Sequence, residues 1–186
     1  MIQPRCGNGS FQYRRSKHSP RPSSPILKLG DYTTRVSSRI KTIIEDSSAD
    51  IRIASSNGDP AVVGGRFDGG GHQTIDFDDL DELDQGKGFT KESIVIHETV
   101  EAYEGRNTTR GTPLTPPLHI TAIDYENDVR ISQWKPLRVA NSPVEGFVQE
   151  ANGDITATVD FTTHVARITI DGRTGDIKKV DVDRIP

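Results

Sequence analysis

The sequence predicts an α+β fold, and three observations predict it. Apolar residues recur at helical spacing in segments before residue 135. Residues 155–182 instead alternate apolar with polar, as half-buried strands do. Turn-forming clusters separate the segments, among them Ser55-Ser56-Asn57-Gly58-Asp59-Pro60 and Asp171-Gly172-Arg173-Thr174-Gly175. The expected architecture is a small mixed sheet, two helices whose polar faces share a cleft, and C-terminal β-hairpins.

The first helix spans Tyr32 to Asp46, because Val36, Ile40, Ile43 and Ile44 form one apolar stripe. Asp31 can cap it. A short strand follows at Ile51–Ala54, and Ala61-Val62-Val63 reads as a second. The glycines at 64, 65 and 69–71 read as turns. His72 to Asp78 alternates and forms a strand at the edge of the sheet. Asp78 to Asp84 reads as an acidic loop that continues to Gly88. The next helix is Lys91–Glu104, with Thr90 as N-cap, Glu92 at the positive end of the dipole and Gly105 as its stop. A loop of Thr, Gly and Pro leads to a helix over Pro117–Trp134, where proline suits the first turn. Trp134 is expected to cap the core. Ile155 to Phe161, Val165 to Ile170 and Ile177 to Val182 are the C-terminal strands.

Composition bounds the rest. The chain has 186 residues, enough for one ordinary domain. Only 32% of them are hydrophobic, so the core is modest. Residues 1–30 hold six basic residues, no acid, four Pro and five Ser. Such a segment cannot pack a core and is expected to be a flexible basic tail. The remaining 156 residues carry 17 basic and 27 acidic side chains, a net of −10. That balance argues against a nucleic-acid-binding domain. No run has the length and apolarity of a membrane span, and the N-terminus lacks the apolar stretch of a secretory signal. A cytoplasmic location, or export by a signal-independent route, is the expectation. The oligomeric state is not legible. One cysteine, Cys6, excludes an internal disulfide and a Cys-rich zinc site.

Any metal site must therefore use His and carboxylates. The Lys91–Glu104 helix contains His97-Glu98-Thr99-Val100-Glu101. At 100° per residue, His97 and Glu101 sit one turn apart on one face, with Glu98 beside them. Two ligands at i and i+4 with a glutamate at i+1 can bind a divalent metal and supply a general base. On the following helix His119, Ala122, Glu126 and Arg130 share a face. An antiparallel packing would aim His119 or Glu126 at His97 and Glu101. Arg130, one turn past Glu126, is the candidate partner for an oxyanion or a carboxylate.

The stretch Ile94-Val95-Ile96-His97-Glu98-Thr99-Val100-Glu101-Ala102-Tyr103-Glu104-Gly105 resembles the active helix of HExxH metallopeptidases. It is similar in particular to the short zincin-like domains of bacterial effectors and polymorphic toxins, whose motif is followed by a helix with an acidic ligand. Glu126-Asn127-Asp128-Val129-Arg130 resembles that second helix, and the resemblance covers residues 31–138. It implies a metallopeptidase acting on a protein or peptide substrate, with a divalent metal, zinc first. Glu98 would be the general base for a metal-activated water. His97 and Glu101 would be ligands, with His119 or Glu126 as the third. Glu101 stands where the family has its second histidine. With His119 the set is two imidazoles and one carboxylate, the inventory of many zinc hydrolases, and Glu126 would orient one of the imidazoles. An extended peptide would lie along His72–Asp78, placing Thr74 and Asp76 against the substrate. The expected layout is a tail over 1–30 and one domain over 31–186, with a zincin-like part at 31–138 and a β-rich extension at 139–186. The alternative function is a zincin-like binding module without turnover.

The remaining candidates are weaker. Asp76, Asp78, Asp79, Asp81 and Glu82 lack the spacing of an EF-hand calcium loop. His72 and His164 stand alone, and no glycine cluster matches a phosphate-binding loop.

Overall fold

The computed structural model describes residues 29–84, 88–113, 115–139 and 145–185. It is an α+β structure with two sheets. The expected tail over 1–30 lies outside the described residues, except for its last two, which already belong to a helix. That helix, α1 (Leu29–Glu45), buries Ile43 and half-buries Val36 and Ile40. Ile44 points to solvent, so the apolar stripe is narrower than expected.

Three strands form the first sheet: β1 (Arg52–Ser56), β2 (Gly65–Gly69) and β3 (His72–Asp76). Their order is β1-β3-β2, with β3 parallel to β1 and antiparallel to β2. His72–Asp76 is therefore the central strand and not the expected edge, a role that falls to β1 and β2. The second strand is not Ala61–Val63, which makes only an isolated bridge, but the glycine-rich segment after it. A low-propensity sequence forms a strand here because β3 supplies its hydrogen-bonding partners and α3 covers it.

Residues 77–83 are helical rather than an acidic loop. Helix α2 (Phe77–Leu83) starts on Asp76, whose carboxylate accepts from the backbone N–H of Asp78 at 3.1 Å and Asp79 at 3.4 Å. Two of the acids that suggested a solvated loop, Asp78 and Asp79, lie in its first turn, at the end of the helix dipole that favours negative charge. Leu80 and Leu83, three apart, turn into the core. Helices α3 (Lys91–Glu104) and α4 (Pro116–Ser132) follow the sequence expectation closely. A 3₁₀ turn, Gly105–Asn107, ends α3. Trp134, expected to cap the core, is 84% exposed at positive φ just past α4.

The C-terminal strands make a second, separate sheet. It is an antiparallel meander of β4 (Glu145–Gln149), β5 (Ile155–Asp160), β6 (His164–Ile170) and β7 (Ile177–Arg184). Its inner face, Ala157, Val159, Ala166, Ile168, Ile170 and Val180, packs with Ile75, Leu80, Leu83, Phe89 and Ile94. A smaller cluster of Ile43, Val100, Tyr103 and Ala122 joins α1, α3 and α4. Helix α3 thus lies between two apolar bodies, which explains why polar residues on it are buried as well. No helix among the described residues is long and apolar enough to cross a membrane.

Candidate functional site

Helices α3 and α4 run antiparallel. Four contacts establish this in order: Glu101 with His119, His97 with Glu126, Ser93 with Arg130, and Glu92 with Gln133. As the contacts descend α3 from Glu101 to His97 to Ser93, in steps of four that keep one face, their partners climb α4. Thr90 fixes the start of α3 by accepting from the Ser93 N–H at 3.2 Å. Pro116 and Pro117 fix the start of α4.

The packing brings His97, Glu101 and His119 together. Glu101 Oε1 lies 3.0 Å from His97 Nε2 and 2.5 Å from His119 Nδ1. The two imidazoles meet edge to face with centroids 4.9 Å apart. Each of the three residues offers one ligand atom, and these atoms lie within 4.8 Å of one another, a separation that could hold a metal ion. Glu126 stands behind this group. Its Oε2 is 3.0 Å from His97 Nδ1, on the side of the ring away from Glu101, at ion-pair distance but outside hydrogen-bond angle. Glu126 also meets Arg138 Nη1 at 3.0 Å and Arg130 Nη1 at 3.6 Å.

Burial makes these charges matter. His97, Glu98, Glu101, Glu126, Arg130 and Arg138 are all buried, and His119 is half-buried. Burial pushes the His97 pKa down, but Glu101 and Glu126 outweigh it and hold it at about 10. Burial opposes ionisation of Glu126 too, yet Arg138, His97 and Arg130 keep it near 2. Glu101 is held at about 2 against the same penalty by His97 and His119. For Glu98 the balance goes the other way, because His97 and Arg138 do not offset the penalty. Burial first, and Glu101 second, push it up to about 8.

Glu98 touches two residues that sequence reasoning missed. Gln73 of β3 donates from Nε2 to Glu98 Oε2. Alternation along β3 was the available signal: Gln73 shares the inward face with Ile75, and a buried amide needs a partner. Gly65 of β2 sits against the Glu98 carboxyl so closely that a Cβ there would overlap it. The third missed residue is Arg138, which follows α4 in an irregular segment without periodicity. Asn127 clamps its backbone, accepting from Arg138 N at 2.8 Å and donating to Arg138 O at 2.9 Å. Its Nη2 is 3.4 Å from His119 Nε2, and its buried Nε has no partner among the described residues.

These residues open onto a cavity of about 490 Å³. Gly65 and Phe67 of β2, His97, Glu98, Glu101, His119 and Arg138 line its polar end. Val63, Leu83, Phe89, Ile94, Val159 and Ile168 make most of the remainder apolar, and Arg66 also lines it.

Three expected substrate contacts lie elsewhere. Arg130 is fully buried away from the cavity, bonded to the carbonyls of Gly88 and Pro136 and stacked 4.3 Å from the Phe161 ring. Its position one turn past Glu126 was read correctly, but the helix aims it at the base of the C-terminal sheet. Asp76 caps α2 and accepts from the N–H groups of Gly58 at 3.1 Å and Asp59 at 2.8 Å. Thr74 alternates away from Gln73 and does not line the cavity. Glu104, on the same face as Glu101 by spacing, pairs with Arg39 of α1 instead.

The chain gives no match to a family model, a curated protein or a solved structure.

Proposed function

We propose that the chain is a metal-dependent hydrolase of zincin type, most simply a peptidase, in which His97, Glu101 and His119 hold a divalent cation. The observation that carries this reading is the convergence of the three side chains at the mouth of a largely apolar cavity, with Glu98 beside them. Two imidazoles and a carboxylate suit zinc. The approach of Glu126 to His97 Nδ1 supports the same fit, because a carboxylate there leaves Nε2 as the ligand atom and raises its basicity. When bound, the cation supplies a Lewis acid for a carbonyl oxygen and lowers the pKa of water.

The protein's own groups would do the rest. Glu98 takes a proton from the attacking water and gives it to the leaving amine. Gln73 and Gly65 keep the carboxyl in place. Arg138 offers an unpaired buried N–H to the oxygen on which negative charge develops. Strand β2 is an edge of its sheet and lines the cavity, so it takes the place first assigned to His72–Asp78 for an extended peptide. The apolar end of the cavity would receive an apolar side chain.

One observation favours a second reading, a binding module without turnover. Glu101 already bridges both imidazoles, and the cluster's buried charges compensate one another as an ion-pair network. Metal content separates the two. Untagged protein is expected to hold one zinc per chain, and Glu98→Gln to keep the zinc while abolishing peptide cleavage. Protein that binds no divalent metal and shows no thermal shift with zinc, manganese or nickel would leave the binding module.

A further inference from the structure

A second polar cavity of about 520 Å³ lies on the other side of Arg130 from the metal-type cluster. Lys135, Arg184 and His164 line it with Gly88 and Thr163, and among the described residues no acidic one does. Neither Lys135 nor Arg184 has an acidic partner among the described residues. His164 and Arg184 are register partners on β6 and β7, so their side chains leave the same face of the sheet.

His164 is the unexpected member. It is only 6% exposed, with its ring stacked on Phe161 at 4.6 Å. Thr163 Oγ1 lies 3.0 Å from Nδ1, while Nε2 is buried and has no partner among the described residues. Burial, then Arg130, pushes the imidazole toward its neutral form. With the threonine hydroxyl donating to Nδ1, the ring's hydrogen sits on Nε2 as an unsatisfied buried donor, which is unfavourable unless something accepts it. Gly88 stands against that nitrogen at φ +97°, and a Cβ there would overlap the ring. Only a glycine at this position leaves Nε2 free of a side-chain overlap.

We propose that this cavity is a binding site for a phosphate group, held by the Lys135 ammonium, the Arg184 guanidinium and the His164 Nε2–H. Two cations and a neutral donor match a dianion in charge better than a monocarboxylate. The site is independent of the hydrolase reading.

The test is a titration of the ¹⁵N-labelled full chain at constant ionic strength, following the His164 Nε2 resonance. Inorganic phosphate and phosphoserine are the two ligands, and acetate is the comparison. The expected result is a saturable shift with phosphate, weakened at least about tenfold in the Lys135→Ala, Arg184→Ala double variant. Both side chains are exposed, so the variant should melt as the parent does. Tighter binding of phosphoserine would identify a phosphate monoester as the source, and tighter binding of inorganic phosphate would identify the free ion. No saturable shift, an equal shift with acetate, or unchanged affinity in the double variant would overturn the proposal.

Discussion

Glu126 places Oε2 3.0 Å from His97 Nδ1, so a helix-borne carboxylate stands directly behind the imidazole that faces Glu101. The same carboxylate balances Arg138 and Arg130. Glu126→Gln should therefore do two things. It should weaken zinc binding about 10–100-fold by loosening the His97 ring and lowering its basicity. It should also lower stability by about 3 kcal/mol, because two buried guanidiniums lose a counter-charge. Metal titration and denaturant unfolding of the metal-free protein measure the two effects separately. Normal zinc affinity in a destabilised variant would show that Glu126 serves only the arginines.

How far the site was legible follows from periodicity. His97, Glu98, Glu101, His119 and Glu126 all sit on helices, where spacing fixes the face, and they converge as a helix pair requires. Arg130 obeyed the same spacing, yet the far end of its long side chain was free to reach the carbonyls of Gly88 and Pro136. Gln73, Gly65 and Arg138 come from strands and an irregular segment, where the partner is set by tertiary pairing. The strand order failed for the same reason: alternation shows which residues of His72–Asp76 face inward but not whether the strand is central. Asp76 illustrates the remaining gap, since one residue serves as both helix cap and loop clamp and reads locally as part of an acidic run.

Gly65→Ala tests the packing of Glu98. A new Cβ would overlap the carboxyl group, and overpacking of this kind costs about 1–3 kcal/mol. The carboxyl must turn away from Gln73 and the cluster. Peptide hydrolysis should fall at least as steeply as stability, with stoichiometric zinc retained. Full activity with zinc bound would mean that Glu98 is not held by β2.

Arg138→Ala should split two properties that a purely structural role would change together. Removing a cation 3.4 Å from His119 favours another cation nearby, so zinc affinity should hold or rise. Loss of its unpaired donor at the cavity should lower kcat/KM by about 10²-fold. Glu126 keeps Arg130, so the fold should survive. Zinc affinity that falls in parallel with kcat/KM would contradict this division.

Asp79 gives a prediction about pH that does not involve the cluster. It is 6% exposed in the first turn of α2, where Oδ2 accepts from the Gly64 N–H at 2.9 Å. Burial, helped by Asp76, Asp176 and Asp78, raises its pKa from 3.8 to about 6. The folded chain therefore holds a proton that the unfolded chain has already released. The stability this protonation supplies is complete below the unfolded pKa of 3.8 and is lost as pH rises to about 6. Asn is neutral at every pH and keeps an acceptor for Gly64, while giving up a favourable charge at the helix N-terminus worth ~0.3–1 kcal/mol. Asp79→Asn should thus be more stable than the parent by about 2 kcal/mol at pH 7.5 and nearly equal to it at pH 3.5. Urea unfolding at the two pH values decides it. A variant less stable at pH 7.5 would show that the ionised carboxylate is the form the fold requires, with the Gly64 hydrogen bond and the helix dipole outweighing burial.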